Sequence, residues 1–438
     1  MSALLDNVLA QLNSAEVPTE PRLAQHRRSA AASLQQSGLP TLKHERWKYT
    51  SLASLNSVSY WLAKPSDGAR LSAAEFAALA PASGESAQVV VVNGQVRHDL
   101  SKLEHLEAGL KITSLSAEPE HVVEHMLTSA TLTDSRGFTA LNEAALSDSV
   151  LIEVAADTIV EVPLAVVMVG TGNEPVLRTP RIIIRVGKNA RARIIEESLS
   201  SPNEQGLSNA LTTIELDDGA ELHHHRLQNE AHSSAHIGRV TAALGSNATL
   251  YTDSVAFGGR LTRIDVDVAL RARGARCRLN GLFAGQGEQH IDHHTTIDHQ
   301  VGDTHSEELY RGILADRSRG VFNGKVIVQK DAQKISAKQA SNNLLLSRTA
   351  EIDTKPELEI YADDVTCAHG ATVGELDSEA LFYLRSRGVS EDDARALLIY
   401  AFAEEVISAI PLDALRSAIE TRFIGHRQLS ETLDGLNQ

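Results

Sequence analysis

The chain has 438 residues, 42% of them hydrophobic, and a formal net charge of -16. This length predicts two or three structural units around a sizeable core, and the ordinary apolar content excludes a disordered chain. The acidic balance argues against nucleic acid or an anionic membrane as a partner, because phosphate surfaces select clustered Lys and Arg.

The opening segment MSALLDNVLAQLNSAEVPTEPR carries acids and no continuous apolar core, so it does not read as a secretory signal. RLAQHRRSAAASLQQSG reads as a helix closed by Gly38. LPTLKHERWKYTSLASL follows, with Trp47 and Tyr49 forming a small aromatic cluster in a chain that is 4% aromatic. Ser72 and Glu75 have capping-box spacing ahead of FAALA, and Pro81 stops that helix. QVVVVNGQVRHDL predicts a β-hairpin turning at Asn93–Gly94. EPEHVVEHMLTSA and GFTALNEAALSD read as two further helices. Residues 1–147 are thus expected to form a mostly helical unit with a few strands.

From 148 to 376 the texture changes to short Val, Ile, Leu and Thr runs separated by Gly, Asn and Asp. A motif recurs in VGKNARARI, LDDGAELHH, LGSNATLYT, LRARGARCR, VGDTHSEEL and VQKDAQKIS. Its anchors, Ala190, Ala220, Ala248, Ala275, His305 and Ala332, fall 27 to 30 residues apart. A near-constant period with a turn residue at fixed offset predicts a mainly β fold built on a parallel β-helix. Gly, Asn and Asp would supply its positive-φ corners. A β-sandwich also gives short strands and turns, but does not readily give a constant period.

Residues 377–438 return to helix. DSEALFYLRSRG begins at Asp377 or Ser378 and ends at Gly388. SEDDARALLIYAFAEEVISAIP has Ser390 and Asp393 in capping-box spacing, with Ala394, Leu397, Leu398, Ala401 and Phe402 expected on its buried face. Pro411 closes it, and LDALRSAIETRFIGHRQLSETL forms a third helix.

Few stretches carry catalytic chemistry. GVFNGKV, Gly320 to Val326, has the wrong spacing for a phosphate loop and lacks Ser or Thr after the lysine, so no nucleotide site is expected. The longest apolar run, near VPLAVVMVG, falls far short of the roughly 20 residues that span a bilayer. The two cysteines, Cys277 and Cys367, lie too far apart to frame a disulfide scaffold, and a reducing, cytoplasmic location is expected. Strand alternation turns Cys277 inward as a small hydrophobe. Ten of the 18 histidines lie between His223 and His305. His290, Asp292 and His294 alternate onto one face and His293 onto the other, which suggests an exposed polar ladder. One strand spaces same-face residues nearly 7 Å apart, too far to chelate a metal alone. In DDVTCAHGATVGELD, Asp363, Val365, Cys367 and His369 share a strand face. Thiolate and imidazole suit iron, zinc or an Fe–S cluster, but two ligands are half of what a cluster needs.

ADDVTCAHGATVGELDSEALFYLRSRGVSEDDARALLIYAFAEEVI resembles the C-terminal signature of the SufB/SufD family, scaffold components of Suf iron–sulfur cluster assembly. The likeness extends upstream through YRGILADRSRGVFNGKVIVQKDAQKISAKQASNNLLLSRTAEIDTKPELEIYADD, and returns in FTALNEAALSD and HERWKYTSL. FYLRSRG and LLIYAFAEEVI point to the SufD branch. Ala368 stands where the family often has Ser or Thr, and ARCRLNGL around Cys277 does not match the sulfur-accepting core cysteine of SufB-like members. The resemblance implies a right-handed parallel β-helix with helical parts at both ends. It implies a non-enzymatic subunit that pairs with SufB through the β-helix and with the SufC ATPase through its C-terminal helices. Phe382, Tyr383, Arg385, Arg387, Tyr400 and Phe402 are the expected SufC contacts. Cys367 and His369 would share a transient Fe–S cluster or iron with SufB, and nucleotide would be bound by SufC. A homodimer stays open for the chain without its partners. Two other readings are a purely structural partner of SufB and a free-standing metal enzyme using the 290–305 histidines.

Overall fold

The corners of the repeat make the coil. In the computed structural model, which describes residues 2–14, 21–79, 81–82, 84, 86–104, 106–119, 123, 136–146 and 149–426, Asn189, Gly219, Asn247, Gly274, Asp303 and Lys334 have φ between 55° and 76°. This left-handed region suits Gly, Asn and Asp. Each corner N–H donates to a carbonyl of the next coil, as Asn189 does to Asp218 at 3.0 Å and Gly219 to Ser246 at 2.8 Å. Asp157, with φ 58°, starts this ladder one coil before the repeat becomes legible in the sequence.

Between corners the strands pair in parallel, coil on coil, as two sheets of a β-helix. The first sheet steps from Val150–Val154 through Arg181–Val186, Leu207–Leu216, Ala235–Leu244, Leu261–Leu270, His290–His299 and Arg319–Val328 to Glu351–Ile360. The second steps from Leu164–Gly170 through Arg191–Ser200, Glu221–Asn229, Thr249–Ala256, Arg276–Gly285, His305–Leu314 and Ile335–Leu345 to Val365–Gly374. Eight coils result. Alternate side chains enter the coil, so Ile184, Ile214, Val240 and Ile264 meet Ile194, Leu222, Leu250 and Leu279 in one continuous core. Two anchors shift against the sequence reading. Arg276 pairs with His305, and His305 with Ser336, so the equivalents of Ala275 are Thr304 and Ile335. A longer turn before Ile335 displaces Ala332 from the register.

The helices cover the outer faces. Ala3–Ser14, Pro21–Ser37 and Phe138–Ala144 bring Leu4, Leu5, Leu34, Phe138 and Leu141 against Leu207, Ala235, Ile237 and Leu261 of the first sheet. Gly38, at φ 67°, ends the second of these as expected. The Ser72–Glu75 capping box is present ahead of Ala73–Ala78. The hairpin forms too, Val91 opposite Val96 around Asn93–Gly94. Its first strand, Ala87–Val92, also joins Leu164–Gly170 in parallel, so N-terminal residues extend the second sheet. The helix expected over EPEHVVEHMLTSA lies outside the described residues.

At the other end of the chain, Asp377 Oδ1 accepts the N–H groups of Glu379 and Ala380 to start Ser378–Ser386. Ser390 Oγ accepts the N–H of Asp393 at 3.1 Å to start Glu391–Ile407. That helix and Asp413–His426 lay Ile399, Ala403, Val406, Ile407, Leu415, Ile419 and Phe423 on Val255, Phe257, Leu282 and Ile313, the outer face of the second sheet. The buried face matches the expected one only in part: Ala394 is buried, but Leu397, Leu398 and Phe402 are half-buried and Ala401 is exposed. Apolar residues surround this helix, and the sheet selects the stripe that fits it. Among the described residues, no helix is long and apolar enough to cross a membrane.

Candidate functional site

The last coil is open. Glu351–Ile360 and Val365–Gly374 are the terminal strands of their sheets, so each presents a row of backbone groups to whatever lies beyond. Cys367 is in register with Ala337, and His369 with Gln339. Ala337 and Gln339 are buried inside the coil, and in-register residues of parallel strands point the same way. Cys367 and His369 thus continue two inward columns at the mouth of the β-helix.

The two side chains sit in different surroundings. Cys367 is half-buried beside Val328, Ala337, Ala362 and Leu358, and burial pushes its thiol above the ordinary value. The apolar corner, rather than a neighbouring imidazolium, dominates this thiol. His369 is exposed. Two residues apart on one strand face, they are separated by roughly 7 Å, too far for the pair alone to close on one metal ion. Among the described residues no group of three or more His, Cys, Asp or Glu side chains is placed to hold a metal ion.

The other candidates are structural. Cys277 faces inward, and burial pushes its thiol far up, as alternation predicts. Gly320 to Val326 runs inside the strand Arg319–Val328 and forms no loop. The histidines overturn the exposed-ladder expectation, since His224, His225, His236, His293, His294 and His299 are all buried. His224 bonds Glu196 at 2.8 Å, His225 bonds Asp253 at 2.8 Å, and His293 stacks between Phe283 and Tyr310. His294 and Asp292 lie under the 45–50 segment. There Arg263 donates to Asp292 at 2.7 Å and to the Arg46 carbonyl at 2.7 Å, and its guanidinium stacks on Trp47 at 4.0 Å. Trp47 also stacks on Phe138 rather than pairing with Tyr49.

The six C-terminal candidates split into two groups. Phe382 and Tyr383 are 74% and 57% exposed. Arg387 lies over the Tyr383 ring at 5.0 Å, and Arg385 pairs with Glu391 at 3.2 Å. Tyr400 instead ties the last two helices together, and Phe402 helps join them to the β-helix. Tyr400 donates to Glu420 at 3.1 Å, and Arg311 stacks on Phe402 at 4.4 Å.

Sequence reading missed the polar residues behind His369. Glu308, Gln339 and His369 are register partners in three successive coils, and the slip of the last two anchors hid them from the repeat.

A family model described as the SUF system FeS cluster assembly SufBD core domain matches residues 168–402, and one for the SufBD N-terminal region matches residues 9–166. The chain is 32% identical to the iron–sulfur cluster assembly protein SufD of Escherichia coli, across 93% of this chain and 92% of that one. It is 32% identical to an iron–sulfur cluster assembly SufBD family protein of Synechocystis, across 92% and 90% of the two. A SufBD family protein of Mycobacterium tuberculosis is 26% identical across 68% of this chain and 75% of its own. With its full-length likeness to a SufD and its eight-coil β-helix, the chain belongs to the SufBD family of iron–sulfur cluster assembly proteins.

Proposed function

We propose that this chain is the non-catalytic SufD subunit of a SufB–SufC–SufD scaffold, and that its open β-helix end meets SufB. The observation that carries this reading is the placement of Cys367 and His369 on the inward face of a terminal strand, the last of its sheet. Ile360, Tyr361 and Val373 also expose large apolar side chains at that end, as an interface core would require. Partner strands continuing the sheets would bring their ligands within reach of the Cys367 thiolate and the His369 imidazole, a donor pair suited to iron or a nascent cluster. The exposed patch of Phe382, Tyr383, Arg385 and Arg387 is the surface for SufC, which binds and hydrolyses ATP. Closure of two SufC subunits would load the C-terminal helices. Their packing on the second sheet would pass that load towards the strand that bears Cys367.

A purely structural role has one observation in its favour, the apolar setting and raised pKa of Cys367. Co-purification of the three chains tests the architecture. Val373→Glu should release SufB and keep SufC, and Phe382→Ala with Tyr383→Ala should release SufC and keep SufB. Retention of both partners by both variants refutes the assignment of surfaces.

A further inference from the structure

Behind His369 stands a buried amide with one hand full and one empty. Gln339 is 4% exposed. Its Nε2 donates to Glu308 Oε2 at 2.5 Å, and its Oε1 is buried with no hydrogen-bond partner among the described residues. Once ionised, Glu308 only accepts, and it then fixes the amide with nitrogen towards itself and oxygen away from it. An orphaned buried acceptor is costly and calls for an explanation.

Register supplies one. Glu308 pairs with Gln339, and Gln339 with His369, so the three stack in one inward column at the strand spacing of about 4.8 Å. On the side away from Glu308, the next side chain of the column is His369, which can offer a ring N–H. The facing sheet makes room for this amide. A Cβ at Gly324 would lie 2.2 Å from Gln339 Nε2, so a glycine is needed there to keep the amide in the column. The neighbouring column contains no such device, because Cys367 follows Ala337 and Ser306.

We propose that Gln339 is a positioning residue for His369, its amide oriented by Glu308 so that Oε1 accepts one imidazole N–H and leaves the other ring nitrogen directed out of the open end as a ligand. This rests on the reading of His369 as a donor in the shared site. A hydrogen bond to one ring nitrogen of a ligand histidine selects its tautomer and holds its plane. Glu308 is a further step back and acts only through the amide.

The test uses the full chain without iron or partners, labelled with ¹⁵N-histidine, at pH 8. This is above the midpoint of Glu308, which burial pushes up to about 7. The His369 signals are assigned by their loss in His369→Asn, and the two ring ¹⁵N shifts give the tautomer ratio. Wild type should favour one tautomer, and Gln339→Leu should shift the ratio roughly 2- to 12-fold, the worth of one net hydrogen bond. Glu308→Gln, which keeps the shape but frees the amide to turn, should shift it in the same direction and guards against misfolding of the leucine variant. An unchanged ratio in both variants overturns the proposal, even where cluster content in the assembled complex falls. A shifted ratio supports it, even where a His369→Ala complex keeps its cluster, a result that would instead sink the shared-site reading.

Discussion

Replacing Phe423 with alanine should undock the last helix and leave the β-helix intact. Leu415, Ile419 and Phe423 recur every fourth residue, are at most 2% exposed, and are the buried residues of Asp413–His426 among those described. The Phe423 ring lies 6.1 Å from that of Phe257, in the cluster that joins the helices to the second sheet. Removing a fully buried phenylalanine costs about 3–5 kcal/mol, as lost transfer energy plus an unfilled cavity. The coil has its own interior, so the loss should fall on helix docking. At a tenfold change per 1.36 kcal/mol, amide exchange in Asp413–His426 should accelerate roughly 100- to 5000-fold. Amides of central strands such as Leu207–Leu216 should exchange as before. Hydrogen exchange with peptide-level resolution reads both. Acceleration below about fivefold, which is near 1 kcal/mol, would refute the docking described here and with it the path from SufC to the second sheet.

Three further outcomes follow from the buried polar groups and thiols. Burial raises Glu308 from the ordinary 4.5 to about 7. The folded chain therefore keeps a proton that the unfolded chain has lost, and this contribution is complete below about pH 4.5, fades as pH rises, and is gone above about 7. Glu308→Gln should remove up to about 3 kcal/mol of that pH dependence, and identical pH slopes of the urea midpoints would contradict it. A thiol reagent should modify Cys367 in the native chain and reach Cys277 only on unfolding, because Cys277 lies in the core; two reactive thiols in the native chain would contradict the packing. Thr50 Oγ1 donates to the buried Asp292 at 2.5 Å. Thr50→Val should cost about 1–3 kcal/mol in urea unfolding by leaving that carboxylate one donor short, and an unchanged midpoint would show that the 45–50 segment is not clamped there.

The β-helix was legible because its corners need particular residues. Asn189, Gly219, Asn247, Gly274 and Asp303 are all types that tolerate positive φ, so the fold prints its period on the sequence. The later anchors slipped because a turn can lengthen without disturbing the strands it joins. Helix starts were legible for a similarly local reason, since Asp377 and Ser390 bond N–H groups two or three residues away. The histidines were misjudged because alternation tells which residues share a face and says nothing of what covers it. Thr50 reaches Asp292 across 242 positions, a contact without a local signature. Alternation placed Cys367 and His369 together, but the partners behind them depended on register across coils.

Whether this chain contributes chemistry to the site proposed to be shared with SufB is decided by iron and acid-labile sulfide in the anaerobically co-expressed SufB–SufC–SufD complex, wild type against Cys367→Ala, with assembly followed by size exclusion. An intact complex whose iron and sulfide collapse is the predicted result. An intact complex with unchanged content would make this subunit architecture alone.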